Sequence, residues 1–184
     1  MQSALNDDRL YTCEEIDSWD DDNRYELIDG VLYMMAPPTR IHQKISGELF
    51  RQLSNFLLGK PCEVYPAPFG VKLNKNNKTR VEPDITVVCD KKKLDDAGCN
   101  GAPDLIVEIL SPSNHRHDRM TKFNKYLQAG VREYWIVDPK EKIVTVNILD
   151  KGKYYNKNYD NIDTISVSVL EGCEIDLKGV FPNE

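Results

Sequence analysis

The chain has 184 residues, 40% hydrophobic and 29% charged, with a formal net charge of -6 at pH 7 and a mean hydropathy of -0.53. That composition indicates one soluble domain with a hydrophobic core and excludes a collagen-like repeat or a disordered chain. No apolar run approaches the roughly 18 residues of a membrane helix, and no basic-then-apolar signal pattern opens the chain, so a cytoplasmic location is expected.

Residues 1–11 read as a disordered, frayed end before a single domain over 12–184. They open an acidic segment: residues 1–30 hold ten acids and two bases, whereas the remainder holds 20 acids and 22 bases. A near-neutral body permits a polyanion partner without requiring one. Thr12-Cys13-Glu14-Glu15 fits a capping box, which predicts a short helix to about Trp19. Arg24–Asp29 and Val31–Met35, divided by Asp29-Gly30, predict a β-hairpin. From Thr39 to about Leu58, the apolar residues Ile41, Ile45, Leu49, Leu53 and Phe56 recur at helical spacing, with Gly59 as the stop.

Strands follow at Glu63–Tyr65 and Phe69–Leu73 around a Pro-rich bend, then a polar loop at Asn74–Lys78. Val81–Cys89 and Asp104–Leu110 are rich in branched aliphatic residues and suit buried strands. After a loop at Ser111–Asn114, a helix is predicted over Arg116–Ala129, ending at Gly130, and a strand over Glu133–Val137. Ile143–Leu149 and Tyr154–Tyr155 form a hairpin about Asp150-Lys151-Gly152, and the tail adds strands at Thr164–Val169 and Cys173–Leu177. Strands interleaved with a few helices give a mixed α/β (α+β) domain. Five widely spaced cysteines without a C-x-x-C predict idle thiols rather than a disulfide framework or structural zinc site. Three histidines argue against a His-based zinc enzyme.

Two predicted strands carry acids where a buried strand should not want them. Alternation along Val81–Cys89 puts Glu82, Asp84 and Thr86 on one face, and Glu108 lies within Leu-Ile-Val-Glu-Ile-Leu. A carboxylate among aliphatic side chains needs a partner. That partner is a basic side chain from a covering helix, a proton, or a metal. Two such acids in neighbouring strands favour a hard cation, since Mg²⁺ takes one or two carboxylates plus water and substrate phosphates. On the helix after Glu108, with Lys122 at 0°, the apolar face of Tyr126, Phe123 and Leu127 centres near about 93°. Lys122 then lies at the edge of the buried face, where its plainer partner is Asp118, and Lys125 points to solvent. Arg119 lies nearer the centre, but it stays protonated and could only clamp a phosphate.

Tyr25-Glu26-Leu27-Ile28-Asp29-Gly30, Glu82-Pro83-Asp84-Ile85, Pro103-Asp104 through Glu108 to Ser111-Pro112-Ser113, and Lys122 through Tyr126 to Gly130-Val131-Arg132-Glu133-Tyr134-Trp135 stand in a recognisable order. The chain resembles the Uma-two family of restriction-endonuclease-like proteins over about residues 12–180. The resemblance implies the PD-(D/E)-x-K superfamily: a restriction-endonuclease-like core, a central mixed β-sheet flanked by helices, with an N-terminal helix and hairpin. It also implies metal ligation by Asp84, Glu108 and the carbonyl of Ile109. Glu26 matches the family's early acid, which by the resemblance joins the catalytic set and completes the metal site; its plainer reading is an exposed strand residue. The superfamily lysine normally stands two residues after the second acid; here that position is Leu110, and Lys122 matches the lysine displaced onto the next helix.

Pro103-Asp104 is a second Pro-Asp. Asp104 lies about 13 Å from Glu108 along the strand, too far to share one ion, so Asp84 is preferred. His42, at the start of the long helix, also stands at a position like the family's, but it is read as a surface or capping residue and left out of the catalytic set.

The implied function is a Mg²⁺- or Mn²⁺-dependent nuclease acting on DNA, with basic segments Lys72–Arg80, Lys91–Lys93 and Arg116–Lys125 as candidates for backbone contacts. The alternatives are a non-catalytic module that binds nucleic acid or protein on the same fold, and an enzyme acting on a small phosphorylated substrate. No base-reading module is visible, so weak sequence specificity is expected. A homodimer would suit double-strand cleavage.

Overall fold

The computed structural model describes residues 3–4, 9–20, 23–73, 77–111 and 116–182, with side chains from residue 9 onward except at 116–119. Most of the expected frayed end, the loop residues Asn74–Asn76 and Pro112–His115, and the side chains of Asp118 and Arg119 lie outside that description. Strand β1 (Ser3–Ala4) pairs antiparallel with Tyr33 and Met34.

Thr12 caps α1 (Cys13–Asp17) by the expected reciprocal pair: the Glu15 N–H donates to Thr12 Oγ1 at 3.3 Å and the Thr12 N–H to Glu15 Oε2 at 2.8 Å. Strands β2 (Tyr25–Ile28) and β3 (Val31–Met34) close over Asp29-Gly30. Both turn residues have positive φ, 53° and 84°, the conformation that matches strand twist in a two-residue hairpin. Helix α2 (Arg40–Leu57) begins at Thr39, whose hydroxyl accepts the His42 N–H at 3.2 Å. Its residues Ile45, Leu49 and Leu53 are fully buried, each contributing roughly 1.5–3 kcal/mol. Ile41 is exposed in the first turn.

The chain continues through β4 (Glu63–Pro66), β5 (Val71–Lys72), β6 (Arg80–Val81), β7 (Ile85–Val88), a 3-10 turn at Lys91–Lys93, β8 (Leu94–Asp95), β9 (Gly98–Asn100) and β10 (Leu105–Ile109). Then come α3 (Arg116–Ala129), β11 (Glu133–Asp138), β12 (Ile143–Asp150), β13 (Lys153–Asp160), β14 (Thr164–Ser166) and β15 (Glu174–Asp176). A six-stranded sheet in the order β13-β12-β11-β10-β7-β4 forms the centre. It is mixed: β10 and β11 are parallel, joined by the α3 crossover, and its other pairs are antiparallel.

Helix α2 packs on one face of this sheet, against Ile85, Val87, Leu105, Val107 and Trp135, beside the β14–β15 hairpin. On the other face, Val88, Ile106 and Tyr134 meet Tyr126 of α3 and a second sheet through Val71, Val81 and Cys99. This is the restriction-endonuclease-like arrangement expected, a central mixed sheet between helices. The second sheet, β1-β3-β2-β6-β5-β9-β8, was not expected as a unit. Its strands span two to four residues and leave little periodicity to read.

Three local expectations change. Val81–Cys89 is two strands: β6 belongs to the second sheet, β7 to the central one, and Glu82-Pro83-Asp84 carries the chain between them. Pro83 has no N–H for a ladder and suits the break. Glu82 therefore does not continue the face of Asp84 and Thr86; it is buried with Arg24 (2.8 Å) and Arg80 (3.6 Å). Strand β13 runs to Asp160 because all eight residues pair with β12, although its polar exposed residues resemble a loop. Cys62 and Cys89, flanking the paired ends of β4 and β7, form a disulfide; Cys13, Cys99 and Cys173 are the buried free thiols expected.

Glu133 is fully buried and accepts three hydrogen bonds: from Trp135 Nε1 (2.7 Å), Ser168 Oγ (2.6 Å) and the Val169 N–H (3.1 Å). It ties the central sheet to the tail. Glu133→Ala leaves three donors unmatched and is expected to cost about 3 kcal/mol or more. Urea denaturation checks this; an unchanged midpoint would remove Glu133 from the structural account.

Candidate active site

The β7–β10 register pairs Leu105 with Val87, Ile106 with Thr86 and Val107 with Ile85. One further step sets Glu108 opposite Asp84, just where β7 gives way to the turn. Asp84 Oδ2 accepts the Ile109 N–H at 2.7 Å, tying the turn to β10. His42 from the first turn of α2 places Nε2 3.1 Å from the same oxygen.

Glu108 points to the α3 side. Its Oε1 accepts from Tyr126 OH at 2.6 Å and from Lys122 Nζ at 3.0 Å. Lys122 also donates to Glu26 Oε1 at 2.7 Å, which accepts the Glu82 N–H at 3.0 Å as well. One ammonium thus bridges two carboxylates from different sheets. Asp84, Glu108, Ile109, Lys122, His42 and Ser111 line one cleft of about 400 Å³, with apolar walls from Met35, Pro37, Pro38, Phe50, Pro66 and Ala67. Glu26 is fully buried behind Lys122 and does not line the cleft, so it is not the exposed strand acid of the plainer reading.

Helix α3 is turned differently from its apolar pattern. Lys122 and Tyr126 are its buried residues near the site, while Phe123 and Leu127 are half-buried. The burial centre is shifted toward Lys122 because Glu108 and Glu26 lie under that side. Lys125 consequently does not stand free in solvent; it reaches Asp29 at 2.7 Å. Asp104 is occupied elsewhere, by Arg132 Nη1 (2.9 Å) and the Cys89 N–H (2.8 Å).

Sequence reasoning missed His42 and Tyr126. His42 does sit next to its cap, but its ring also crosses to Asp84. Tyr126 counted as apolar surface, yet its hydroxyl serves Glu108. Only the spacing of Tyr126 one turn after Lys122 could have linked it to the same acid.

Burial pushes the Glu108 carboxyl up to about 7; Lys122 pulls it down, while Glu26 and Asp84 add to the rise. Burial alone would lower the Lys122 pKa, but the Glu108 and Glu26 carboxylates more than offset this and hold it above the ordinary lysine value. Burial also opposes the His42 charge, yet Asp84, Glu108 and the Ile109 carbonyl raise its pKa. The Tyr126 hydroxyl is pushed well up by burial and then by Glu108 and Glu26.

A carboxyl that binds its proton more tightly when folded makes stability fall as pH rises from about 4.5 to about 7. In metal-free protein, Glu108→Gln is therefore expected to gain stability on the wild type as pH rises across that window. Urea midpoints of both proteins at pH 5 and pH 8 in EDTA check this. Parallel pH profiles would contradict it.

Several described residues of the basic segments are engaged within the fold. Lys72 and Arg80 pair with Asp17 (3.0 and 3.7 Å), Lys91 with Glu63 (2.6 Å), and Lys93 donates to the Ala102 carbonyl (2.7 Å). Part of the acidic N-terminal segment is thus balanced by the body rather than presented to a partner.

The donor chemistry suits a hard divalent cation: a carboxylate from the turn before β7, one from β10 and a main-chain carbonyl at one cleft. Asp84 uses Oδ2 and Glu108 uses Oε1 for their hydrogen bonds. Asp84 Oδ1 and Glu108 Oε2 carry none among the described residues. Against this, no three His, Cys, Asp or Glu side chains among the described residues are gathered as a ready metal cluster.

A family model described as "Putative restriction endonuclease", Uma2, matches residues 13–178. The chain belongs to the Uma2 family. It is 28% identical over 161 residues to "Uncharacterized protein slr1290" from Synechocystis sp., covering 85% of this chain and 84% of that one. A crystal structure from Anabaena variabilis, described as "a putative nuclease belonging to DUF820", superposes with a TM-score of 0.75 at 19% identity. It covers 92% of this chain and 97% of that chain, and shows that the two share a fold. Within this Uma2 fold, Asp84, Glu108 and Lys122 meet at the cleft with Glu26 behind them. No helix among the described residues is long and apolar enough to cross a membrane.

Proposed function

We propose that the protein is a divalent-metal-dependent nuclease that hydrolyses DNA phosphodiester bonds at the cleft between α2, β7, β10 and α3. The observation supporting this reading is that Asp84 accepts the Ile109 N–H at 2.7 Å, beside Glu108, with Lys122 over Glu108 at 3.0 Å. Asp84, Glu108 and the Ile109 carbonyl would hold Mg²⁺ or Mn²⁺, which when bound lowers the pKa of its water and offsets charge on the phosphate.

Lys122 acts as a fixed cation. Its raised pKa supports a role in orienting water or stabilising the charged transition state over that of a general base. Glu26 anchors the ammonium from behind rather than ligating metal. Arg24 lies at the cleft on Glu82 and offers a guanidinium to a backbone phosphate.

One observation favours a second reading. Lys122 already bridges Glu26 and Glu108, so the fold neutralises part of its acid cluster without a metal. A non-catalytic nucleic-acid- or protein-binding module would fit that arrangement.

The separating test is cleavage of plasmid, single-stranded DNA and RNA with Mg²⁺, Mn²⁺ or EDTA. The nuclease reading expects metal-dependent DNA cleavage, as nicked circles from sites acting singly or linear product from a dimer. No cleavage of any substrate by folded protein would favour the binding module. Preferential RNA cleavage would correct the substrate.

A further inference from the structure

Among the described residues, the His42 ring hydrogen-bonds to Asp84. Its ring is largely buried, with 13% of the side chain exposed. Nε2 lies 3.1 Å from Asp84 Oδ2, while Nδ1 is sealed from solvent with no hydrogen-bond partner among the described residues. A buried ring nitrogen without a partner weakens the fold, whereas an aliphatic side chain there would carry no such penalty. As packing alone, a histidine here is a poor choice.

The Asp84 geometry supplies a reason for it. Oδ2 is gripped from two directions, by the Ile109 N–H at 2.7 Å and by His42. With Oδ2 held, the carboxylate cannot rotate freely, and Oδ1 is the oxygen left for a ligand. Because Asp84 lies in the turn between two sheets rather than inside a strand, its backbone does less to orient it.

We propose that His42 is a positioning residue: it clamps Asp84 Oδ2 so that Oδ1 is presented to a divalent cation in the cleft. This rests on the metal-dependent reading above. Groups that hold a ligating side chain by hydrogen bonds typically contribute about 10–100-fold to metal affinity.

The test compares wild type with His42→Leu and His42→Gln, reading Mn²⁺ binding by electron paramagnetic resonance without DNA, and thermal unfolding in EDTA. Leu fills the space without a donor; Gln offers an amide N–H at about the reach of Nε2. His42→Leu is expected to unfold at or above the wild-type temperature while Mn²⁺ binding weakens about 10–100-fold. His42→Gln is expected to recover most of that binding. Wild-type Mn²⁺ affinity in His42→Leu would overturn the positioning role and leave the nuclease reading intact. So would a lowered unfolding temperature in both variants with binding per folded molecule unchanged, since that describes a packing residue. Wild-type protein with no Mn²⁺ binding that depends on Asp84 would overturn the metal-dependent reading, and this role with it.

Discussion

Asp84→Ala and Glu108→Ala are each expected to lower metal-dependent DNA cleavage by about 10³-fold or more. A bound cation supplies several kcal/mol of transition-state stabilisation, and each 1.4 kcal/mol is tenfold in rate. The isosteric Asp84→Asn and Glu108→Gln are expected to fall nearly as far, because an amide keeps the shape but loses the charge the ion requires. The measurement is cleavage at saturating Mg²⁺, normalised to folded protein by thermal unfolding. Asp84 also receives the Ile109 N–H, so Asp84→Ala is the variant more exposed to misfolding. Full metal-dependent activity in Glu108→Ala would remove this carboxylate from the mechanism. Equal residual activity in every variant would point to a contaminating nuclease.

Lys122→Met is expected to destabilise the fold by about 3–5 kcal/mol, because it removes the cation that compensates buried carboxylates. Glu26 is fully buried, and Lys122 Nζ lies 2.7 Å from it and 3.0 Å from Glu108. Methionine is close in length, so the effect comes from charge rather than a cavity. The double variant Glu26→Gln with Lys122→Met is expected to regain a large part of the loss, since it removes one stranded charge. Urea denaturation of the two single variants and the double reads the coupling directly. If Lys122→Met is as stable as wild type, the bridge is not a structural ion pair. This bears on the catalytic test as well: lost cleavage in a Lys122 variant counts toward a chemical role only per folded molecule.

Much of the local structure follows from residues a few positions apart. The capping box at Thr12 and Glu15, the Thr39 and Gly59 limits of α2, the Asp29-Gly30 turn and the end of α3 at Gly130 all depend on local backbone chemistry. The unusual acids Asp84 and Glu108 were also legible, because a carboxylate within a run of branched aliphatic residues stands out from the pattern around it.

The rest depended on residues distant in the chain. Sequence periodicity continued Val81–Cys89 as one strand, since nothing local says that β6 and β7 join different sheets. It centred the buried face of α3 on Phe123 and Tyr126, because a helix wheel weighs apolar surface and cannot know that two acids lie beneath Lys122. It treated His42 as a surface or capping residue, because Asp84 is 42 residues away, and the resemblance placed Glu26 in the metal site, because nothing local shows that Lys122, 96 residues away, takes up its carboxylate. It took Cys62 and Cys89 as idle thiols, because only the β4–β7 pairing brings them together. The sequence by itself determined the helices, the turns and the two conspicuous acids, through interactions within one or two turns of chain. Only the tertiary structure decided which side chains share the cleft, since burial and charge pairing between distant elements outweigh local pattern once the sheets are packed.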